Sequence, residues 1–166
     1  LVRNTELSDY GDTRSDFVES ERLVFEELAE SGYQTGYVGK WHCGHQKLPS
    51  DYGASGWSLP DYGKLYMSPA YEEYAKARGL GPARARIDYN LDRPDWNGTC
   101  RTLHHRSPWR FMNGCGILQG PPEAHEEQFV AELASDRLSA LAAQDSPWFL
   151  VASFWGRSSA PTRWTR

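Results

Sequence analysis

The sequence predicts an α/β fold with a mostly parallel sheet and long loops. Two helical patterns, each followed by a strand-like apolar segment, predict this class. The first helix is expected from Asp16 to about Ser31 and its strand from Tyr33 to Lys40. The second helix is expected from His125 to Gln144 and its strand from Trp148 to Phe154. Helices that alternate with strands in this way are typical of parallel sheets covered by helices.

The first helix is predicted by apolar residues at helical intervals among glutamates. Phe17, Leu23, Val24 and Leu28 recur on one side of such a helix. Gly32 follows, and glycine at this position commonly ends a helix because it adopts the left-handed conformation without strain. The next residues are rich in aromatic and β-branched types, which favour a strand.

The second helix carries acidic residues in its first turn, where they interact favourably with the helix dipole. Its strand, Trp148 to Phe154, is a near-continuous apolar run. Such a run is typical of a strand buried on both faces.

The middle of the chain, from Cys43 to Pro122, is dense in Gly, Pro, Asp and Tyr. We expect most of it to be long connecting loop, with one helix around Ala70 to Arg78. Loops of this length are commonly either functional rims around a site or poorly ordered.

Composition excludes several classes of protein. The longest apolar run, Trp148 to Trp155, is much shorter than the roughly 20 residues of a membrane-spanning helix, so no membrane partner is expected. A net charge of −4 and a pI near 5.7 give no basic stripe for nucleic acid. The 3 cysteines are too few for a disulfide-rich scaffold.

Lys40 and His42 are the candidate binding residues. Side chains two positions apart on an extended segment point to the same side, so both would project from the carboxyl end of the first strand. Open parallel sheets bind ligands at this edge, and two cationic donors suit an oxyanion such as sulfate or phosphate. Spacing alone favours the simpler interpretation, a lysine and a histidine on a solvated strand end.

The run from Gly32 to Gly44, which contains Gly-Lys-Trp-His, resembles the second signature of the sulfatase family. Three further segments are similar to later parts of that family, and the resemblance extends from about Asp16 to Gly156. They are Leu48 to Trp57 with Pro60 to Gly63, Gly120 to Ala124 with its helix, and Trp148 to Gly156.

The resemblance implies an alkaline-phosphatase-like α/β/α sandwich that hydrolyses sulfate esters of small molecules or glycans. The nucleophile of such enzymes is a hydrated formylglycine, made from Cys or Ser in a Cys/Ser-x-Pro-x-Arg motif, and a divalent ion, usually calcium, holds the sulfate. By position, Lys40 resembles the lysine that bridges sulfate and the formylglycine hydroxyl. His42 resembles the histidine that hydrogen-bonds the same hydroxyl.

The resemblance also suggests that parts of the catalytic site are missing. Cys43, Cys100 and Cys115 do not stand in the nucleophile motif, and we expect that no serine does. The family's metal-binding carboxylates belong to segments not recognised here, so no calcium is expected to be held. We therefore expect residues 1–156 to be a partial sulfatase catalytic domain, inactive by itself, and residues 157–166 to be a divergent tail.

The sequence is also compatible with other functions. Phosphonate monoester hydrolases and some phosphodiesterases share the fold and similar motifs. A non-catalytic module that binds anions or glycans could keep Lys40 and His42 without hydrolysis. A zinc site is disfavoured, because the cysteines and histidines lack the paired spacing of structural zinc ligands.

Overall fold

A computed structural model describes residues 22–41, 43, 47–59, 65–102 and 114–154 of the chain. These residues form six strands and three α-helices. The strands are β1 (Gln34–Lys40), β2 (Ser55–Leu59), β3 (Arg84–Asn90), β4 (Cys100–Thr102), β5 (Gly114–Gln119) and β6 (Trp148–Ser153). The α-helices are α1 (Val24–Glu30), α2 (Pro69–Ala77) and α3 (Glu126–Ala142), and short 3-10 turns join several elements.

The chain divides into two compact units. The first comprises Leu1–Gly63 with Val130–Phe154, and the second comprises Lys64–Phe129 with Trp155–Arg166. Helix α3 therefore begins in the second unit, and the rest of it belongs to the first.

The first unit contains a parallel sheet with the strand order β2-β1-β6. Its central strand, β1, is buried at every position from Thr35 to Lys40. Burial at successive positions requires that both faces of the strand are covered. The α/β class and the parallel pairing predicted from the sequence are confirmed.

Helices cover the two faces of this sheet. On one face, Phe25 of α1 packs against Tyr37 and Phe149, with ring centroids 6.0 Å and 6.1 Å apart. On the other face, a Cβ placed on Gly36 would lie 3.3 Å from Leu141 of α3 and 2.9 Å from Leu150 of β6. Because Gly36 has no Cβ, α3 can approach β1 closely.

The step from α1 into β1 follows the sequence prediction. Gly32 has a φ of +86°, in the left-handed region, and its N–H donates to Ala29 O. The N–H of Tyr33 donates to Leu28 O over 3.0 Å. This pair of bonds satisfies carbonyls that the end of a helix leaves unpaired, and it turns the chain directly into the strand.

The second unit contains an antiparallel sheet with the strand order β4-β3-β5. In β3, Ala85 and Ile87 are buried against Trp96, whereas Arg84, Arg86 and Asp88 are exposed. This alternation is the period of two that a sheet with one buried face requires.

Tyrosine hydroxyls connect α2 and its preceding turn to the start of α3. Tyr71 donates to Ala124 O over 2.6 Å and Tyr74 donates to Glu123 O over 2.8 Å. The hydroxyl oxygen of Tyr66 accepts from the N–H of Glu126 over 3.2 Å. Burial of these rings is therefore accompanied by hydrogen bonds to backbone groups that would otherwise be unpaired.

Three expectations about the fold need correction. Helix α1 begins at Val24 and does not continue back toward Asp16, because Leu23 before it is extended. Among its described residues, the segment from Cys43 to Pro122 contains four strands that the sequence did not predict, β2 to β5. The apolar positions of β3 are filled partly by small alanines, which makes its period of two inconspicuous in the sequence. Strand β6 is not buried on both faces: Trp148 is 41% exposed, because β6 is an edge strand among the described residues.

Among the described residues, no helix combines the length and the apolar character needed to cross a bilayer.

His125 caps helix α3 in a way that depends on its protonation state. The residue is 5% exposed, and its Nδ1 accepts a hydrogen bond of 3.1 Å from the N–H of Glu127. Only a neutral ring, protonated on Nε2, can accept at Nδ1. Burial lowers the pKa of His125 below its ordinary value, and the nearby Glu127 carboxylate opposes part of this shift.

We therefore expect His125 to make stability depend on pH. Its contribution is complete above the pKa of the unfolded state, about 6.5, and decreases as the pH falls through that value, because the unfolded chain then binds the proton more readily. Urea unfolding of wild type and His125→Asn across this pH range measures the difference. Asparagine also caps helices but does not titrate, so an unchanged pH dependence in this variant would contradict the assignment.

Candidate functional site

Lys40 is the last residue of the central strand of the parallel sheet. In the register of the sheet it lies opposite Leu59 of β2, and its neighbour Gly39 lies opposite Ser153 of β6. The carboxyl ends of the three strands therefore meet at one edge, as the sequence predicted. Lys40 is 9% exposed, which is unusual for lysine and shows that most of its side chain is covered by protein.

A side chain of the same strand fixes the backbone at Lys40. The hydroxyl of Tyr37 donates a short hydrogen bond to the carbonyl oxygen of Lys40. Burial raises the pKa of this hydroxyl, and a hydrogen bond with the Ser153 side chain opposes part of the increase. Tyr37 remains protonated at neutral pH and acts as a donor that fixes the strand end.

Trp41 is a packing residue. It is 4% exposed, and its ring lies edge-on to Tyr37 at 5.3 Å and beside Tyr52 at 6.2 Å. Its indole N–H donates to Lys47 O over 2.9 Å. Phe25 and Ala54 complete this buried cluster. The tryptophan of the Gly-Lys-Trp-His segment thus anchors the chain as it leaves β1.

Two glycines of the parallel sheet occupy positions that no larger residue could fill. Gly39 has a φ of +111°, and a Cβ built there would overlap the carbonyl oxygen of Ser153. Gly56 of β2 has a φ of +134°, and its Cβ would overlap Tyr37 O. Both positive φ values and both close approaches favour glycine.

His42 lies outside the described residues. The prediction that Lys40 and His42 share one opening therefore stays a prediction. His45, His104 and His105, the other histidines weighed for the disfavoured zinc site, also lie outside the described residues.

The residues that the structure describes contain no group of three His, Cys, Asp or Glu side chains that could hold a metal ion. Cys43, Cys100 and Cys115 are all free thiols, and Cys43 packs against the aromatic cluster around Trp41.

The expectation that no serine stands in the nucleophile motif is wrong, and the sequence itself shows this. Ser159-Ala-Pro-Thr-Arg163 has the spacing Ser-x-Pro-x-Arg, so a serine does stand in the motif. The spacing of Ser159, Pro161 and Arg163 is the sequence signal that identifies this motif. The five residues follow Gly156, where the resemblance to sulfatases ends, and they lie outside the described residues.

No protein-family model, curated protein or solved structure matches this chain.

The close approach at Gly39 generates a prediction about stability. We expect Gly39→Ala to lower the free energy of unfolding by about 3 kcal/mol, because backbone strain adds to an overlap with β6. The control is Gly53→Ala, where φ is +85° but nothing lies within 4 Å of the added Cβ. Strain alone should cost about 1 to 2 kcal/mol there. Urea unfolding of both full-length variants measures the difference, and equal losses would contradict the close approach.

Proposed function

We propose that this chain carries part of the sulfate pocket of a sulfatase-type hydrolase with an alkaline-phosphatase-like sandwich. Lys40 and His42 are the residues that would hold sulfate oxygens. One observation carries the proposal: Lys40, within the Gly-Lys-Trp-His segment, ends the central strand of a parallel sheet. Ligands of open α/β sheets bind at this edge.

The position of Lys40 supports a role in binding an oxyanion. An ammonium group in a largely covered environment interacts with an anion more strongly than it would in open water, because solvent screens the charges less. The aromatic anchor at Trp41 and the hydrogen bond from Tyr37 to Lys40 O hold the backbone from which this side chain extends. Such rigidity is what a site that recognises charge by position requires.

The chemistry proposed for these two residues is electrostatic and positional. During hydrolysis of a sulfate ester, negative charge moves from the sulfate toward the leaving-group oxygen. A lysine and a histidine that bridge the sulfate and the attacking hydroxyl would orient both groups and stabilise the charge as it develops. No step of this proposal is routed through calcium.

Sulfate binding tests the pocket directly. We expect sodium sulfate, titrated into the full chain at constant ionic strength, to shift one histidine ring resonance in a saturable way. His42→Asn should remove that resonance. Lys40→Met should abolish the saturable shift while keeping the length of the side chain. Lys76→Met, which removes the same charge from an exposed position on helix α2, is the matched control.

The outcomes of this titration separate the alternatives. A folded wild-type chain whose histidine resonances do not respond to sulfate would overturn the proposal. Tighter binding of phosphate than of sulfate would favour a phosphonate or phosphodiester hydrolase of the same superfamily. Circular dichroism of each variant shows whether a lost response reflects lost structure.

Hydrolysis requires a separate assay. We expect residues 1–166 with calcium not to turn over an aryl sulfate, because an unmodified serine hydroxyl is not the formylglycine hydrate of sulfatase chemistry. Release of the aryl alcohol, followed by absorbance, measures this. The matched variants are Lys40→Met and Ser159→Ala. Turnover by wild type that both variants abolish would contradict the expectation and would point to Ser159 as the nucleophile.

A further inference from the structure

The loop between β3 and β4 contains a chemically labile pair, Asn97–Gly98, and both residues are exposed. The backbone nitrogen of a glycine that follows asparagine can attack the side-chain Cγ, because no side chain hinders its approach. The N–Cγ bond closes a succinimide ring, and the side-chain nitrogen leaves as ammonia. Water then opens the ring to aspartate or isoaspartate. Asparagine is among the thermolabile residues of proteins for such reasons.

The fold requires a glycine at the second position of this pair. Gly98 has a φ of +76°, in the left-handed region, and nothing lies within 4 Å of a Cβ built there. The constraint at Gly98 is therefore backbone conformation and not space. The turn thus explains the glycine of this labile pair.

In the folded chain, both reacting groups are held by hydrogen bonds. The N–H of Gly98 donates to Ile87 O over 2.7 Å, so the attacking nitrogen is directed toward β3. The Oδ1 of Asn97 accepts from the N–H of Asn90 over 2.8 Å, which fixes the side-chain amide. Ring closure needs the Gly98 nitrogen to lose its proton and approach Cγ, and neither is possible while these bonds persist.

The surrounding contacts hold the loop in this closed state. The N–H of Ile87 donates to Thr99 O over 2.8 Å, and the Thr99 hydroxyl donates to Trp96 O over 2.6 Å. Trp96 is 4% exposed, and the guanidinium groups of Arg93 and Arg101 lie 4.7 Å and 5.0 Å from the centre of its ring. Release of Gly98 therefore requires local opening of the end of the β3–β4 pair.

We propose that Asn97 is a spontaneous modification site that the fold keeps closed. Each opening of the loop exposes the Asn97–Gly98 pair to succinimide formation, and the product is aspartate or isoaspartate at position 97. Isoaspartate adds one atom to the main chain, which displaces the Gly98 N–H from Ile87 O. When the product is isoaspartate, the reaction therefore converts a transient opening into a permanent one, and isoaspartyl 97 marks chains whose loop has opened.

The rate of deamidation tests the proposal. The full chain is incubated at mildly alkaline pH, with and without guanidinium chloride, and peptides that contain residue 97 are followed by mass spectrometry for replacement of –NH₂ by –OH. We expect the native rate to be at least about tenfold below the denatured rate, as for other groups that react only through local opening. Asn113–Gly114 is a second Asn-Gly pair in the chain. Its deamidation rate in guanidinium chloride gives the reference rate for this dipeptide in an unfolded chain.

Two valine variants test whether the loop contacts provide the protection. Thr99→Val removes the hydroxyl bound to Trp96 O and should accelerate deamidation of Asn97. Thr102→Val, an exposed position on β4, is the matched control and should leave the rate unchanged. Equal native and denatured rates in wild type would overturn the proposal, as would equal rates in the two variants.

A further measurement does not depend on either variant. Hydrogen exchange of the Gly98 amide and deamidation of Asn97 in wild type should rise in parallel as guanidinium chloride is added below the unfolding transition. Exchange that rises while deamidation stays constant would also overturn the proposal.

Discussion

The close packing of strands β2 and β6 against β1 is the constraint on which the first unit depends. Gly39 and Gly56 lack the Cβ atoms that would collide with the carbonyl oxygens of Ser153 and Tyr37. Helices cover both faces of this sheet, and the residues of β1 are buried from Thr35 to Lys40. The low exposure of Lys40 is thus a consequence of how closely the sheet and its helices pack.

The same short segment combines packing and chemistry. Tyr37, Gly39 and Trp41 fix the end of β1 through a hydrogen bond, a close approach and an aromatic cluster. Lys40, in the midst of these residues, carries the charge on which the proposed function rests. Hydrolytic chemistry needs a rigid support for its charged groups, so residues that only pack are as necessary to such a site as those that bind.

The second unit is stabilised differently. Its tyrosine hydroxyls bind backbone groups around the start of α3, and His125 accepts a backbone N–H in the first turn of that helix. In the loop before β4, backbone and side-chain hydrogen bonds hold a turn that only glycine adopts without strain. Hydrogen bonds to buried or constrained groups stabilise a fold and also set which groups can react, as the His125 ring and the Asn97 amide illustrate.

The sequence by itself determined the elements with strong periodicity or strong end signals. These are the end of α1 at Gly32, strand β1, helices α2 and α3, and strand β6, together with the parallel class of the sheet and the place of Lys40 at its carboxyl edge. Tertiary structure decided the rest. Strand β2, Ser-Gly-Trp-Ser-Leu, has only two apolar residues, too few to predict a strand, and it is specified by its pairing with β1. The antiparallel sheet joins three strands that are consecutive in the chain, but their apolar positions are few and small, so their pairing and not their local pattern specifies them. The exposure of β6 and the burial of Lys40 likewise follow from their places in the sheet, since β6 has one neighbouring strand among the described residues and β1 has two. Burial depends on the surfaces that pack together and not on the type of a single residue.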